Sequence, residues 1–139
     1  MSCRNVVLPA KLTQRGESIW ATSVSTACAA SARASALGAD ARVGRVPGEY
    51  CEGEFSVNDA GRTKLVGTGQ RITRRGYLFS AVVMVHGADR AREALAAAYP
   101  LMGLELDPTT VGCVADSVPG VTLEDVRAEV LAALWALVD

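Results

Sequence analysis

A chain of 139 residues and 14.5 kDa has the length of one domain, enough to bury roughly two thirds of the surface its unfolded form exposes. Its 14 Lys+Arg against 15 Asp+Glu leave no whole-molecule field to attract nucleic acid or an anionic membrane surface, and with aromatics at 5% no stacking platform for single-stranded nucleic acid is in view. No apolar stretch reaches about 18 residues without a charge, so no membrane span is expected; Cys3, Cys28, Cys51 and Cys113 lie far apart, with neither Cys-x-x-Cys nor a histidine at ligand spacing, which argues against a metal site and for reduced thiols in a cytoplasm.

In chain order, Glu17 to Leu37 is rich in alanine and serine and free of proline, and Gly38 stands where a helix finds its C′ glycine, so residues 1–40 read as an N-terminal helical segment. Ala41 to Val46 alternates polar and apolar residues before Pro47-Gly48, which predicts a short strand and a turn. Glu54 to Asn58 alternates again, Asp59-Ala60-Gly61 supplies a turn, and Lys64 to Gly67 begins the return strand of a hairpin. Gln70 to Thr73, a turn at Arg74-Arg75-Gly76, and the apolar run Tyr77 to Val85 extend this into an antiparallel meander. After Gly87 the period changes: Ala91, Leu95, Ala98 and Leu101 share one helical face, to about Met102. Asp107-Pro108 opens a short helix through Val114, and Thr122-Leu-Glu-Asp125 resembles a capping box ahead of a last helix through Leu137. Helices flanking an antiparallel or mixed sheet make this a single α+β domain over residues 1–139.

Lys64 is the residue with the most to explain. It lies between Gly61 and Gly67, with Gly69 just beyond; glycines let a backbone approach a ligand closely, and an ammonium neutralises a phosphate or carboxylate. Neither a Walker A loop nor a dinucleotide Gly-x-Gly-x-x-Gly at a helix start is present. His86 reads as a surface residue at a strand exit, no serine sits in Gly-x-Ser-x-Gly, and Glu49, Glu52 and Glu54 read as solvated acids around a turn. Trp20, Trp135, Tyr50, Phe55, Tyr77 and Phe79 read as core or interface residues.

Pro47-Gly-Glu-Tyr50, Phe55-Ser-Val-Asn58, Gly61-Arg-Thr-Lys64, Leu65-Val-Gly67 and Gly69-Gln-Arg71 together resemble the lipoate-protein ligase and octanoyltransferase domain, related to biotin protein ligases. The likeness runs from about Ala41 to the C-terminus and covers the second half of such a domain. It implies that Lys64 is the lysine that contacts the acyl carbonyl and adenylate phosphate, or polarises a thioester, with Asn58, Gly67, Gly69, Gln70 and Arg71 binding the substrate. A fixed cation beside a carbonyl or phosphoryl oxygen stabilises the charge that builds there in the transition state. ATP and magnesium are implied if the chain is a ligase, and a lipoyl-acceptor or acyl-carrier protein as partner. The sequence departs from the family pattern in three places. Thr63 separates Arg62 from Lys64, Ser80-Ala81 stands where members carry His-Gly, and nothing before Ala41 resembles the Gly- and Arg-rich closing loop. Half a sheet exposes an edge, so a second copy or a complementary subunit is expected. The alternative is a shortened, non-ligating member that binds a small ligand, dimerises, or serves another biosynthetic reaction.

Overall fold

The computed structural model describes residues 5–10, 19–74 and 76–135. Five strands form one antiparallel sheet: β1 (Asn5–Ala10), β2 (Ala41–Val43), β3 (Val57–Asp59), β4 (Thr63–Thr73) and β5 (Gly76–Met84), in the order β1-β5-β4-β3-β2. The expected meander is β3-β4-β5. Strand β1 was not foreseen; it pairs with β5 from Asn5 opposite Met84 to Ala10 opposite Phe79, so the N-terminal segment is not wholly helical. Its Pro9 and the absence of strict alternation hid it, since a six-residue strand gives little periodic signal.

Helix α1 (Ile19–Ala36) ends at Gly38, whose φ of +109° is a conformation that side chains resist. Helix α2 (Ala88–Leu101) follows the meander. The segment expected as one helix from Pro108 to Val114 divides into a 3-10 turn at Pro108–Thr110, capped by the Asp107 carboxylate accepting from the Thr109 amide at 2.9 Å, and a one-turn α3 (Val114–Ser117). Extended backbone at Val111 and Cys113 separates the two, and Val111 bridges Lys64 in parallel across the sheet. Helix α4 (Leu123–Trp135) opens on the anticipated capping box: Asp125 Oδ2 accepts from the Thr122 amide at 2.8 Å, and the Asp125 amide donates to Thr122 Oγ1 at 3.2 Å. Among the described residues no helix is long and apolar enough to cross a membrane.

Helices α1 and α4 pack together on one face of the sheet. Val57, Val66, Phe79, Ala81, Val83, Val114 and Val126 form the core, with Leu37 and Val130 against it. These are small side chains, and a cavity of about 60 Å³ remains among Ala30, Ala34, Val66, Ala81, Val83 and Val130. Of the aromatic residues expected in a core, Phe79 is buried and Trp135 is 67% exposed at the end of α4.

Candidate functional site

The hairpin joining β3 to β4 fixes the position of Lys64. Ala60 and Gly61 turn it with φ of +52° and +73°, the Arg62 amide donates to the Asp59 carbonyl at 2.9 Å, and Asn58 Oδ1 accepts from the Gly61 amide at 2.7 Å. Asn58 Nδ2 donates to the Gly44 carbonyl at 2.8 Å. Both ends of the buried Asn58 amide are therefore engaged in holding the hairpin and β2, close to the lysine along the chain and directly opposite it in register.

The ladder then breaks by one residue: Asn58 pairs with Lys64, whereas Val57 pairs with Val66, leaving Leu65 as an extra residue in β4. In a regular strand Lys64 and Val66 would share a face. The bulge turns Lys64 onto the opposite face, where a Cβ added at Gly67 would lie 3.4 Å from Lys64 Cε. Gly67 is thus small beside the lysine stem. Gly69 and Ser80, paired across β4 and β5, continue this face, a Cβ at Gly69 meeting Ser80 Oγ at 3.3 Å. Arg71 lies two residues further along the same alternation and is exposed. Gln70 falls on the alternate parity, opposite buried Phe79. Of the residues expected to bind substrate, Gly67, Gly69 and Arg71 share the lysine's face, Asn58 braces the turn, and Gln70 belongs to the other side.

Lys64 is 1% exposed. Its ammonium donates to the carbonyls of Tyr50 and Cys51, both at 2.8 Å, and to Glu49 Oε1 at 3.4 Å, and it lies 4.7 Å from the centre of the Tyr50 ring. Three donors thus meet three oxygens, with the ring adding a cation–π contact. Glu49, expected as a solvated acid, is buried; its Oε1 also accepts from Ser56 Oγ at 2.7 Å and the Gly53 amide at 3.1 Å, while Oε2 is buried with no hydrogen-bond partner. Burial, reinforced by the Glu49 charge, pushes the Tyr50 phenol up to about 12.

The loop over the ammonium is tied from above. The Cys51 amide donates to Tyr99 Oη of α2 at 2.7 Å, the Asp107 amide donates to the Gly48 carbonyl at 2.9 Å, and Cys51 holds a φ of +43°. A non-glycine residue in the left-handed region costs on the order of 1 kcal/mol and persists only where its surroundings impose it. The Cys51 thiol is exposed and lies 3.9 Å from Tyr99 Oη. The sequence marks Cys51 only as one of four scattered, reduced cysteines; an isolated cysteine after Pro-Gly carries no periodic signal that would place it beside Lys64. Cys28, Cys51 and Cys113 are all free thiols, and His86 is exposed as expected.

Nearby, an open groove of about 790 Å³ runs past Thr63 and is lined by Asp40, Asp59, Asp107 and Asp116 against Arg62. Arg42 beside Asp40 holds that carboxyl below the usual carboxylate range, and Thr109 does the same for Asp107. Four acids against one arginine do not suit a triphosphate. Among the described residues no cluster of three His, Cys, Asp or Glu could hold a metal ion.

The sequence matches no protein-family profile and no curated protein. Solved structures resemble the chain by fold. One is lipoate-protein ligase A bound with ATP, at TM-score 0.68 and 19% identity, with 96% of this chain aligned to 51% of that one. Another is a candidate lipoate protein ligase from Thermoplasma acidophilum with bound lipoic acid, at TM-score 0.64 and 19% identity, over 96% and 51% of the two chains. A third comes from an archaeal lipoylation system of T. acidophilum, described as a bi-partite lipoate protein ligase and its E2 lipoyl domain, at TM-score 0.60 and 21% identity, over 96% and 49%. The alignment covers almost all of this chain, so it extends beyond the region from Ala41 onward where the sequence resemblance lies. This chain has the α+β fold of the lipoate-protein ligases and spans about half the length of the structures it matches.

Proposed function

We propose that this chain is a lipoate-protein-ligase-like half domain that handles a lipoyl- or octanoyl-type acyl group and is completed by a second chain, either a copy of itself or a complementary subunit. The observation that carries the reading is the Lys64 ammonium, turned by a bulge onto the glycine-cleared face of the sheet and held beside Glu49 under Tyr50. A cation fixed in a water-poor site stabilises negative charge on a reacting carbonyl oxygen more strongly than one in solvent. In the transfer branch the exposed thiol of Cys51, in the loop above that cation, is the nucleophile the site offers to a thioester. The ligase branch needs the second chain for ATP and magnesium, because the acidic groove is no cradle for a triphosphate and the three N–H groups of Lys64 are already engaged. That same engagement favours the other reading, a non-ligating member that uses the face to bind a small ligand or to dimerise.

The test incubates the purified protein, in parallel, with ATP, magnesium and octanoate and with an octanoyl thioester, and follows acyl-adenylate and the mass of the intact protein. Acyl-adenylate or an octanoyl adduct that is lost in Lys64→Met supports acyl chemistry, and loss of the adduct alone in Cys51→Ser assigns the acceptor. No product in either arm, with octanoate still protecting the fold against heat, supports the binding reading. A ligand at a hundred times its Kd would add about 2.7 kcal/mol.

A further inference from the structure

Two of the three oxygens that saturate the ammonium of Lys64, both main-chain carbonyls, stand where the oxygens of an acidic or acyl ligand would have to stand. They belong to Tyr50 and Cys51, at the tip of a loop whose two ends are anchored very differently from its middle. Val46 and Glu49 are buried on one side and Ser56 on the other, with Glu49 fastened by Ser56 Oγ and Gly48 fastened to Asp107. Between these anchors the tip Tyr50–Gly53 buries little apart from the Tyr50 ring: Cys51 and Glu52 are exposed, and Tyr50 and Gly53 are half-buried. The Glu52 carboxylate reaches only Arg45, at 3.3 Å, in a pair at least half exposed on both sides, where ion pairs contribute little. The tip is held chiefly by polar contacts: Lys64 to two carbonyls and to the Tyr50 ring, the Cys51 amide and thiol to Tyr99 Oη, the Gly53 amide to Glu49, and the Ser56 amide to the Gly53 carbonyl. It also carries the left-handed Cys51. Segments with few buried apolar contacts open locally at far lower free energy than the fold as a whole.

We propose that Tyr50–Gly53 is a lid over Lys64, with the Tyr99 hydroxyl as its latch. In the closed state described here the lid's own carbonyls occupy two ligand positions on the ammonium. When the tip lifts, Glu49 remains beside Lys64, so the charge stays paired, and two adjacent hydrogen-bonding positions are released for a carboxylate, a phosphate or an acyl carbonyl. The class of group that takes those positions rests on the acyl-handling function proposed above; the opening itself does not.

The experiment is amide hydrogen exchange by NMR on the full chain, with and without low urea. The Cys51 and Gly53 amides are expected to exchange at least 100-fold faster than those of Val66 and Val83, through an opening insensitive to urea. Tyr99→Phe, which removes the latch oxygen, should speed Cys51 exchange about fivefold, the factor expected for one neutral hydrogen bond, with the urea midpoint unchanged. Exchange of Cys51 and Gly53 only in step with Val66 and Val83 as urea rises would overturn the lid. A second arm adds millimolar octanoate. Shifts at Gly67 and Gly69 with faster exchange at Cys51 support displacement of the carbonyls, and the same shifts with Cys51 exchange unchanged overturn it. If octanoate shifts nothing, the acyl reading fails, and the first arm still decides the lid.

Discussion

Replacing Lys64 by methionine keeps most of the side-chain volume and removes the charge, and the structure says where the damage falls. The carbonyls of Tyr50 and Cys51 are neutral and their bonds only part-buried, so their loss is the smaller part of the effect. Glu49 bears the larger part: its side chain is 0% exposed against 1% for Lys64, and without the ammonium it keeps only Ser56 and the Gly53 amide as donors. Breaking one partner of a buried ion pair costs about 3–5 kcal/mol, a large share of the 5–15 kcal/mol that holds a domain of this kind together. With a melting shift of roughly 3 °C per kcal/mol for a chain of this size, the single variant should melt on the order of 10 °C lower. Adding Glu49→Gln removes the stranded charge, so the double variant should be more stable than Lys64→Met by about 2 kcal/mol. Urea unfolding of wild type, Lys64→Met, Glu49→Gln and the double variant gives the coupling directly. A cost below about 1 kcal/mol for Lys64→Met, or a double variant no more stable than the single one, would refute the description of this cluster as a buried charge pair. The result also governs the activity assay, since product lost in a half-unfolded Lys64→Met protein says nothing of chemistry; the double variant is the control that separates the two.

Two other outcomes follow from residues on either side of the sheet. Ala81→Val directs two methyls into the cavity of about 60 Å³ under α1 and α4; at roughly 24 cal/mol per Å³ of void the most it could recover is about 1.4 kcal/mol, so a gain of about 0.5–1 kcal/mol in urea with an unchanged slope is expected, and a loss would mean that the helices are already in contact there. Tyr50, pushed up to about 12 by burial and the neighbouring Glu49 charge, should still be protonated when an ordinary tyrosine has ionised near pH 10. A folded pKa above the unfolded one means stability that is full below pH 10 and declines between about 10 and 12; phenolate absorbance of wild type against Tyr50→Phe checks it, and a Tyr50 signal at pH 10 in the folded protein would place the ring in solvent.

The meander, the helix ended by Gly38 and the Thr122–Asp125 cap were legible because each rests on local chemistry: alternation, a left-handed glycine, a reciprocal side-chain cap. Strand β1 was not, because its place beside β5 is settled by pairing with a segment about half the chain away and not by its own pattern. At the site, Lys64 stood out through its glycines, yet its neighbours did not. Glu49 belongs to an acidic run around a Pro-Gly turn, and only the fold reveals that one of three such acids goes inward. Tyr99 lies outside the apolar face of Ala91, Leu95, Ala98 and Leu101 that marked its helix, and its hydroxyl meets a loop 48 residues earlier. The capping of an ammonium by main-chain carbonyls leaves no mark in sequence, since every residue has a carbonyl.

The extra residue at Leu65 makes the β3–β4 hairpin a counting device. Side-chain direction along a strand depends only on whether the separation is odd or even, so the one extra residue after Lys64 reverses its relation to Val66 and puts the ammonium on the face of Gly67. Straightening the bulge with Leu65 retained would send the ammonium toward Val66 and the helices, and removing Leu65 together with the bulge would restore its direction; Thr63 lies before the lysine, so its deletion leaves that relation unchanged. A one-residue change between Lys64 and Val66 is therefore tolerated only when the bulge changes with it, a rule set by the two-residue repeat of the strand and independent of what the lysine is there to hold.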